Sequence, residues 1–130
     1  MSNSMSFFQE LTAIETVLEG YRDGLYTANT ELLATLFHPT ANLQAPNLRL
    51  TRDEWLTRVQ KRPKPDAEQA QGFDISSIEI IGQQAVVKLS CTLFGFQYTD
   101  VLSLLKENDR WLIVNKMYCD SSALQVNNPE

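Results

Sequence analysis

The chain has few residues of the kinds that bind metals. Its 130 residues include one histidine, His38, and two cysteines, Cys91 and Cys119. Neither cysteine has a second cysteine or a histidine at the spacing of zinc ligands, which excludes a structural zinc site. Both lie in apolar stretches, where we expect reduced thiols that pack as small hydrophobic side chains. We therefore predict no metal site and no cofactor.

Long apolar runs are also missing. No run approaches the roughly 18 apolar residues that a membrane-spanning helix requires. The first six residues, MSNSMS, have neither the basic region nor the apolar region of a signal peptide. We therefore expect no membrane association and a cytoplasmic location.

Positive charge is scarce. The formal net charge is −5, so an extended phosphate-binding surface is not expected and nucleic acid is not a predicted partner. The one basic cluster, KRPKP at positions 61–65, contains two prolines that prevent a helix. We interpret it as a solvated loop.

Two capping boxes mark helix starts in the first half of the chain. Ser6 with Gln9, and Thr51 with Glu54, have the spacing at which the two residues cap each other's backbone. They predict helices over about 7–27 and 51–61, with a shorter helix over about 30–37 between them. Apolar residues recur on one face of the first helix, and Tyr21 belongs to that face.

The second half of the chain has the patterns of β-strands. A short strand is predicted at 41–45 and a loop at 47–49, and four longer strands follow over about 73–81, 85–94, 96–106 and 110–119. Helices grouped in one half and antiparallel strands in the other indicate the α+β class. The length fits one domain over residues 1–130, with an ordered core over about 6–120.

The last two strands carry polar residues inside apolar runs. If Asn108 and Asp109 form a two-residue turn, the residues on either side of it pair across the two strands. In a regular ladder each further step away from the turn then gives the next pair. The predicted pairs are Glu107 with Arg110, Leu104 with Ile113, Leu102 with Asn115, and Asp100 with Met117. Because side chains alternate along a strand, one face would then hold Tyr98, Asp100, Trp111, Ile113 and Asn115, and the other Lys116 and Tyr118.

Three segments resemble one known superfamily. They are YRDGLY at 21–26, LFHPTA at 36–41, and YTDVLSL at 98–104 together with RWLIVNK at 110–116. These segments are similar to the nuclear transport factor 2-like (SnoaL-like) superfamily, and within it to the branch described as putative lumazine-binding. The resemblance extends from about residue 7 to about residue 118.

The resemblance implies a cone, in which a curved, mostly antiparallel or mixed sheet wraps the first helix and leaves a pocket open at one end. Members of the superfamily include isomerases, dehydratases and cyclases, as well as proteins that only bind ligands, and many form dimers. The fold alone does not select among these functions.

Five residues are candidates for lining such a pocket: Tyr21, His38, Tyr98, Asp100 and Asn115. Asp100, on an apolar strand face, is either a catalytic base or a carboxylate held by structural hydrogen bonds. His38, which precedes a proline, either transfers protons at neutral pH or caps the end of a helix.

The remaining candidates also have structural alternatives. Tyr21 is either part of the core or a hydrogen-bond donor to a ligand, and Asn115 either contacts a ligand or belongs to a structural network. Trp55 either packs in the core or covers the mouth of the cone.

The function favoured by these observations is the binding of a flat or ring-shaped organic molecule, for which the branch name suggests a pterin-like ring. The alternatives are an isomerase, dehydratase or cyclase with Asp100 or His38 as proton shuttle and Tyr21 as oxyanion donor, and a protein–protein adaptor with a filled cone. We also expect a homodimer through the outer sheet face, whose predicted positions are Val101, Leu105, Leu112, Val114, Lys116 and Tyr118.

Overall fold

The computed structural model describes residues 6–64 and 72–121. Its helices are α1 (Phe7–Thr27), α2 (Thr30–Leu36) and α3 (Arg52–Lys61). Its strands are β1 (Phe37–Ala45), β2 (Leu48–Thr51), β3 (Asp74–Ile81), β4 (Gln84–Leu93), β5 (Phe96–Glu107) and β6 (Arg110–Asp120).

Both predicted capping boxes are formed. The Ser6 hydroxyl accepts the Gln9 N–H, and the Gln9 side chain accepts the Ser6 N–H in return. Thr51 and Glu54 make the same reciprocal pair at the start of α3. Each box satisfies backbone donors that the first helical turn leaves unpaired, which fixes where the two helices begin.

One face of α1 is buried, and it includes Tyr21 as predicted. Gly24 lies on this face, where α2 packs against α1. A Cβ atom at Gly24 would lie 2.6 Å from the Leu33 side chain, so only glycine allows this approach of the two helices.

The six strands form one open mixed sheet in the order β2-β1-β6-β5-β4-β3. β1 and β6 are parallel and all other neighbouring strands are antiparallel. The sheet and the three helices form the predicted α+β cone, with α1 along its interior. No helix in the described part of the chain is long and apolar enough to cross a membrane.

The predicted loop at 47–49 is wrong, because Leu48 begins strand β2. Ala45 pairs with Leu48 across a tight turn in which Asn47 has a positive φ of 63°. Asparagine tolerates this left-handed conformation better than most residues, so the chain reverses within two residues. β1 also begins at Phe37 rather than at the predicted residue 41.

The turn between β5 and β6 has the predicted two-residue form. Asn108 and Asp109 have φ values of 52° and 62°, as a type I′ turn requires. The predicted pairs Glu107 with Arg110 and Leu104 with Ile113 are confirmed.

Beyond Ile113 the predicted register is wrong by one residue. Ser103 pairs with Asn115, so Val114 is an extra residue in β6 and forms a β-bulge. Leu102 therefore pairs with Lys116, and Asp100 pairs with Tyr118 instead of Met117.

The bulge exchanges the faces predicted for the end of β6. Lys116 is buried on the same face as Asp100, with only 5% of its surface exposed. Asn115 instead lies beside β1, where its Oδ1 accepts a hydrogen bond from Gln44 Nε2 at 2.8 Å. The prediction that Asp100 and Asn115 converge is therefore wrong, as is the outward placement of Lys116 and Tyr118.

The last residue of the predicted basic loop, Pro65, and residues 122–130 lie outside the described residues. The assignment of residues 1–130 to a single domain, with an ordered core over about 6–120, stays a prediction.

Candidate functional site

The cone contains a pocket of about 510 Å³ at the end where Tyr98 and Tyr118 lie. Side chains from the sheet, from α3 and from the segment after α3 meet there. The lining residues are Leu48, Trp55, Arg58, Lys61, Arg62, Cys91, Leu93, Tyr98, Asp100, Lys116 and Tyr118. The volume is within the range of small-molecule sites, about 300–1,000 Å³.

A buried hydrogen bond joins α1 to the wall of this pocket. The Tyr21 hydroxyl donates to Asp100 Oδ2 at 2.6 Å, and both residues are almost completely buried. Burial is the main reason that the pKa of Tyr21 is raised well above its usual value, and the charge of Asp100 adds to the shift. Tyr21 therefore stays protonated and holds the carboxylate in position.

Lys116 reaches the same carboxylate from β6. Its Nζ lies 4.0 Å from Asp100 Oδ2 and is surrounded by three aromatic rings. The distances from Nζ to the ring centroids are 4.4 Å for Trp55, 4.8 Å for Tyr118 and 5.2 Å for Tyr21. Burial lowers the pKa of Lys116, and the nearby Asp100 opposes this effect. The rings favour the ammonium through cation–π attraction, which further limits the loss of charge.

Polar atoms of Lys116 and Asp100 remain available to a ligand. Among the described residues, Lys116 Nζ has no hydrogen-bond acceptor, although its three N–H groups can each donate. Asp100 Oδ1 likewise accepts no hydrogen bond from the described residues, since Tyr21 bonds to Oδ2. The wall of the pocket thus offers a donor and an acceptor side by side.

Aromatic side chains form much of the remaining wall. Tyr98 and Tyr118 are half-buried and pack edge to face, with ring centroids 6.4 Å apart. Behind the pocket wall the Trp55 ring packs against Phe37, with the ring centroids 5.2 Å apart, and this contact fixes the indole in place. Of the two alternatives for Trp55, the structure supports core packing, because its side chain is buried, and its ring also lines the pocket; that it covers the mouth stays a prediction.

Three basic residues surround the mouth of the pocket. Arg58 and Lys61 are exposed, whereas Arg62 is partly buried with its guanidinium 5.5 Å from the centroid of the Phe94 ring. Burial lowers the pKa of Arg62, which nevertheless stays charged because an arginine pKa is so high. The interpretation of the basic cluster as a solvated loop is therefore wrong for Lys61, which is the last residue of α3, and for Arg62, which is partly buried and lines the pocket.

Cys91 lies at the floor of the pocket. Its burial raises the pKa of the thiol to about 12, so the thiolate that a nucleophile requires is not formed at neutral pH. The described residues contain no group of three or more metal-binding side chains.

Two predicted site residues lie away from this pocket. His38 is near the β5–β6 turn, where its Nδ1 accepts the Thr40 N–H at 3.1 Å and its Nε2 lies 3.6 Å from Glu107 Oε1. Asn115 is on the other face of the sheet, as described above. Tyr98 and Asp100 do line the pocket, whereas Tyr21 lies behind it and contacts the lining residues Asp100 and Lys116.

The residues missed from the sequence are Lys116, Tyr118 and the basic residues of the mouth. A lysine inside a mostly apolar strand was a signal for Lys116, but alternation across a regular ladder assigned it to the other face. A bulge has no clear signature in a single sequence, so the correct face could not be read from the pattern.

The overall fold is similar to that of solved bacterial proteins. A nuclear transport factor 2-like protein of unknown function from Shewanella baltica is 24% identical with a TM-score of 0.81, over 89% of this chain and 97% of that one. One from Methylobacillus flagellatus is 21% identical with a TM-score of 0.75, over 91% and 96% of the two chains. One from Silicibacter pomeroyi is 20% identical, also with a TM-score of 0.75, over 88% and 98%. At these identities the likeness establishes the fold alone.

No curated protein matches the sequence. One family model, described as putative lumazine-binding, matches residues 9–119, from the first turn of α1 nearly to the end of β6. The chain therefore belongs to the putative lumazine-binding family and has a nuclear transport factor 2-like fold.

Proposed function

We propose that the protein binds a small planar organic molecule in the pocket beside Lys116 and Asp100. The observation that carries this proposal is Lys116 itself, a buried lysine whose ammonium faces a cavity without a hydrogen-bond acceptor from the described residues. A charged donor that opens on a cavity can bond an acceptor of a ligand there, and a hydrogen bond of this kind is worth about 1.5–3 kcal/mol.

The walls favour a flat ligand. Trp55, Tyr98 and Tyr118 present aromatic surface on one part of the pocket, and Leu48 and Leu93 present aliphatic surface on another. A ring system can stack on such walls while its polar edge meets Lys116 and Asp100.

A pterin-like ring fits this arrangement and is the ligand class that the family's description suggests. Such a ring carries carbonyl oxygens and N–H groups along one edge. The carbonyl oxygens can accept from Lys116 Nζ, and an N–H group can donate to Asp100 Oδ1.

Lumazine is the probe for the test, and Trp55 is the reporter. The chain has two tryptophans, Trp55 in the pocket and Trp111 at the opposite end of the cone. In a Trp111→Phe background we expect lumazine to quench the Trp55 emission with a saturable curve. Lys116→Met in that background should weaken binding by about tenfold or more, because a charge-assisted hydrogen bond is worth about 1.5–3 kcal/mol.

Lys88→Met is the matched control, since Lys88 is an exposed lysine on β4. It should leave lumazine binding unchanged. Absence of saturable quenching by lumazine and by other planar heterocycles would contradict the proposed function, as would equal binding by the Lys116→Met and Lys88→Met proteins.

The second candidate function is catalysis of the isomerase, dehydratase or cyclase type. It is supported by Asp100 and Lys116, a carboxylate and an ammonium that face one cavity 4.0 Å apart and form a possible acid–base pair. The roles predicted for His38 and Tyr21 are not supported, because His38 lies elsewhere and the Tyr21 hydroxyl is committed to Asp100. Deuterium exchange at the α-carbon of cyclic ketones, lost in Asp100→Asn, would favour catalysis; no exchange would leave binding alone.

We also propose a homodimer through the outer sheet face. Four of the six predicted positions do face outward, and exposed Met117 adds to a second groove of about 370 Å³. Apolar side chains on this face, including Val101, would be shielded by a second copy. We expect light scattering to give twice the 14.8 kDa chain mass. Met117→Glu should yield monomer and Gln60→Glu, on the exposed face of α3, should not; a monomeric parent protein would contradict the proposal.

The cytoplasm remains the proposed location. Both cysteines are free, as expected where thiols are kept reduced.

A further inference from the structure

The charge of the pocket differs in sign from the charge of the chain. The whole chain has a formal net charge of −5. Among the residues that the structure describes, in contrast, the pocket lining holds four basic side chains, Arg58, Lys61, Arg62 and Lys116, and one carboxylate, Asp100. An acidic protein therefore places a positive potential over one cavity, and such a potential attracts anions.

The positive charge is concentrated at the mouth. Inside the pocket, Lys116 and Asp100 face each other and largely compensate. At the mouth, none of Arg58, Lys61 and Arg62 has a carboxylate oxygen within 4.0 Å among residues 6–64 and 72–121. Asp120 also acts on the lining, since its charge contributes to the raised pKa of Tyr98 after the larger effect of burial.

We propose that the ligand of this pocket carries a negative charge, as a carboxylate or similar acidic substituent on a planar ring. The ring lies inside, against Trp55 and beside Lys116, and the acidic group lies at the mouth near Arg58 and Arg62. This inference rests on the proposed function, because it specifies the ligand of the same pocket.

The orientation follows from which charges are already paired. An acid placed beside Lys116 would also meet Asp100, which repels it at short range. An acid at the mouth meets guanidinium groups that can bind a carboxylate through two parallel hydrogen bonds. Because Arg62 is partly buried, its attraction is screened less than that of a fully exposed side chain.

Matched ring pairs that differ only in charge test the proposal. Naphthoate and naphthamide form one pair, and a carboxylated pterin and unsubstituted pterin form another. We expect the acidic member of each pair to bind about tenfold more tightly by calorimetry or Trp55 quenching, as two partly screened ionic contacts allow. The preference should shrink as the salt concentration rises from about 0.01 M to about 0.1 M, where the screening length falls from about 30 Å to about 10 Å.

The variant for the test is the double change Arg58→Gln and Arg62→Gln. It should remove most of the preference for the acidic ring, so that the affinities of this variant for the acidic and the neutral ring lie within about twofold of each other. Arg22→Gln, an exposed arginine on α1, is the control and should keep the full preference.

The outcomes separate this inference from the proposed function. Saturable binding of the neutral rings with no preference for the acids would overturn the inference and leave the proposed function standing. An equal loss of affinity for both ring types in the double variant would also overturn the inference. The arginines would then maintain the structure of the pocket rather than bind the acidic group. No binding of any ring would overturn both.

Discussion

The two ends of the cone are built from the same two strands and have opposite chemistry. At the end near the β5–β6 turn, the inward residues Leu102, Leu104 and Ile113 are fully buried and apolar. A polar group closes this end, in which Glu10 accepts from Lys106 Nζ at 2.8 Å and from Trp111 Nε1 at 3.0 Å.

At the other end the inward positions of the same strands carry Tyr98, Asp100, Lys116 and Tyr118. Here a hydrogen bond from α1 holds one carboxylate, and the remaining polar atoms face a cavity. The helix thus contacts β5 through Glu10 at one end and through Tyr21 at the other. The comparison shows that polar groups at one end of the cone pair with each other, whereas at the other end they line a cavity.

The largest loss of stability is expected for a change at the apolar end of the cone, near the β5–β6 turn. Leu104→Ala should destabilise the protein by about 3–4 kcal/mol, because it leaves a cavity among residues that cannot collapse freely. Leu105→Ala, on the half-buried outer face of the same strand, should cost much less. Urea unfolding measures both, and equal losses would contradict the distinction between the inner and outer faces of β5.

Asp100→Ala should lower the free energy of unfolding by nearly as much, about 3 kcal/mol. It leaves the buried Lys116 without its only nearby anion among the described residues, and breaking a buried pair from one side is strongly destabilising. Asp74→Ala, at an exposed position on β3, is the control and should change little. A loss at Asp100 no greater than that at Asp74 would show that the carboxylate does not balance the lysine.

Tyr21→Phe should cost about 2 kcal/mol through loss of the hydrogen bond to Asp100. The pKa of Tyr21 is raised in the folded protein, so its contribution is fully present below the ordinary tyrosine pKa of about 10. Above that pH the unfolded chain releases the proton first and is favoured. The difference in unfolding free energy between wild type and Tyr21→Phe should therefore be constant up to about pH 9 and shrink above about pH 10.

Lys116→Met is expected to have the smallest effect on stability, within about 1 kcal/mol. Asp100 keeps its bond to Tyr21 in this variant, and a buried ion pair gives little net stability over an apolar replacement. Because burial lowers the pKa of Lys116, the unfolded chain binds more protons between the folded and unfolded values. Wild type should therefore gain stability relative to Lys116→Met as pH rises toward about 10.4, the ordinary lysine pKa. If Lys116→Met lost as much stability as Asp100→Ala, this would contradict the expectation that removing the carboxylate is far more destabilising than removing the ammonium.

Helix starts, the final turn and the fold class could be predicted because their causes are local. The capping boxes of α1 and α3 each need only four consecutive residues, and the turn at Asn108–Asp109 needs residues that tolerate positive φ. Likewise, the first pairs of the β5–β6 ladder follow directly from that turn.

The site was only partly predictable because it depends on contacts between distant segments. Asp100 and Tyr98 lie before the bulge position on β5 and keep the face that alternation assigns to them. Lys116 and Asn115 exchange faces because Val114 is an extra residue in β6, and β1 pairs with β6 on its other side through an irregular stretch of its own. Such irregularities are determined by three strands together, so no pattern within one strand reveals them.

The sequence by itself determined the α+β class, the buried face of α1 and the positions where elements begin, since these follow from capping, periodicity and turn chemistry within short segments. Only the tertiary structure decided that Lys116 faces Asp100, that Tyr21 holds that carboxylate, and that Arg62 stands at the mouth. The physical reason is that a one-residue change of register reverses a side chain's face, and the register of β6 is fixed by its neighbours in the sheet.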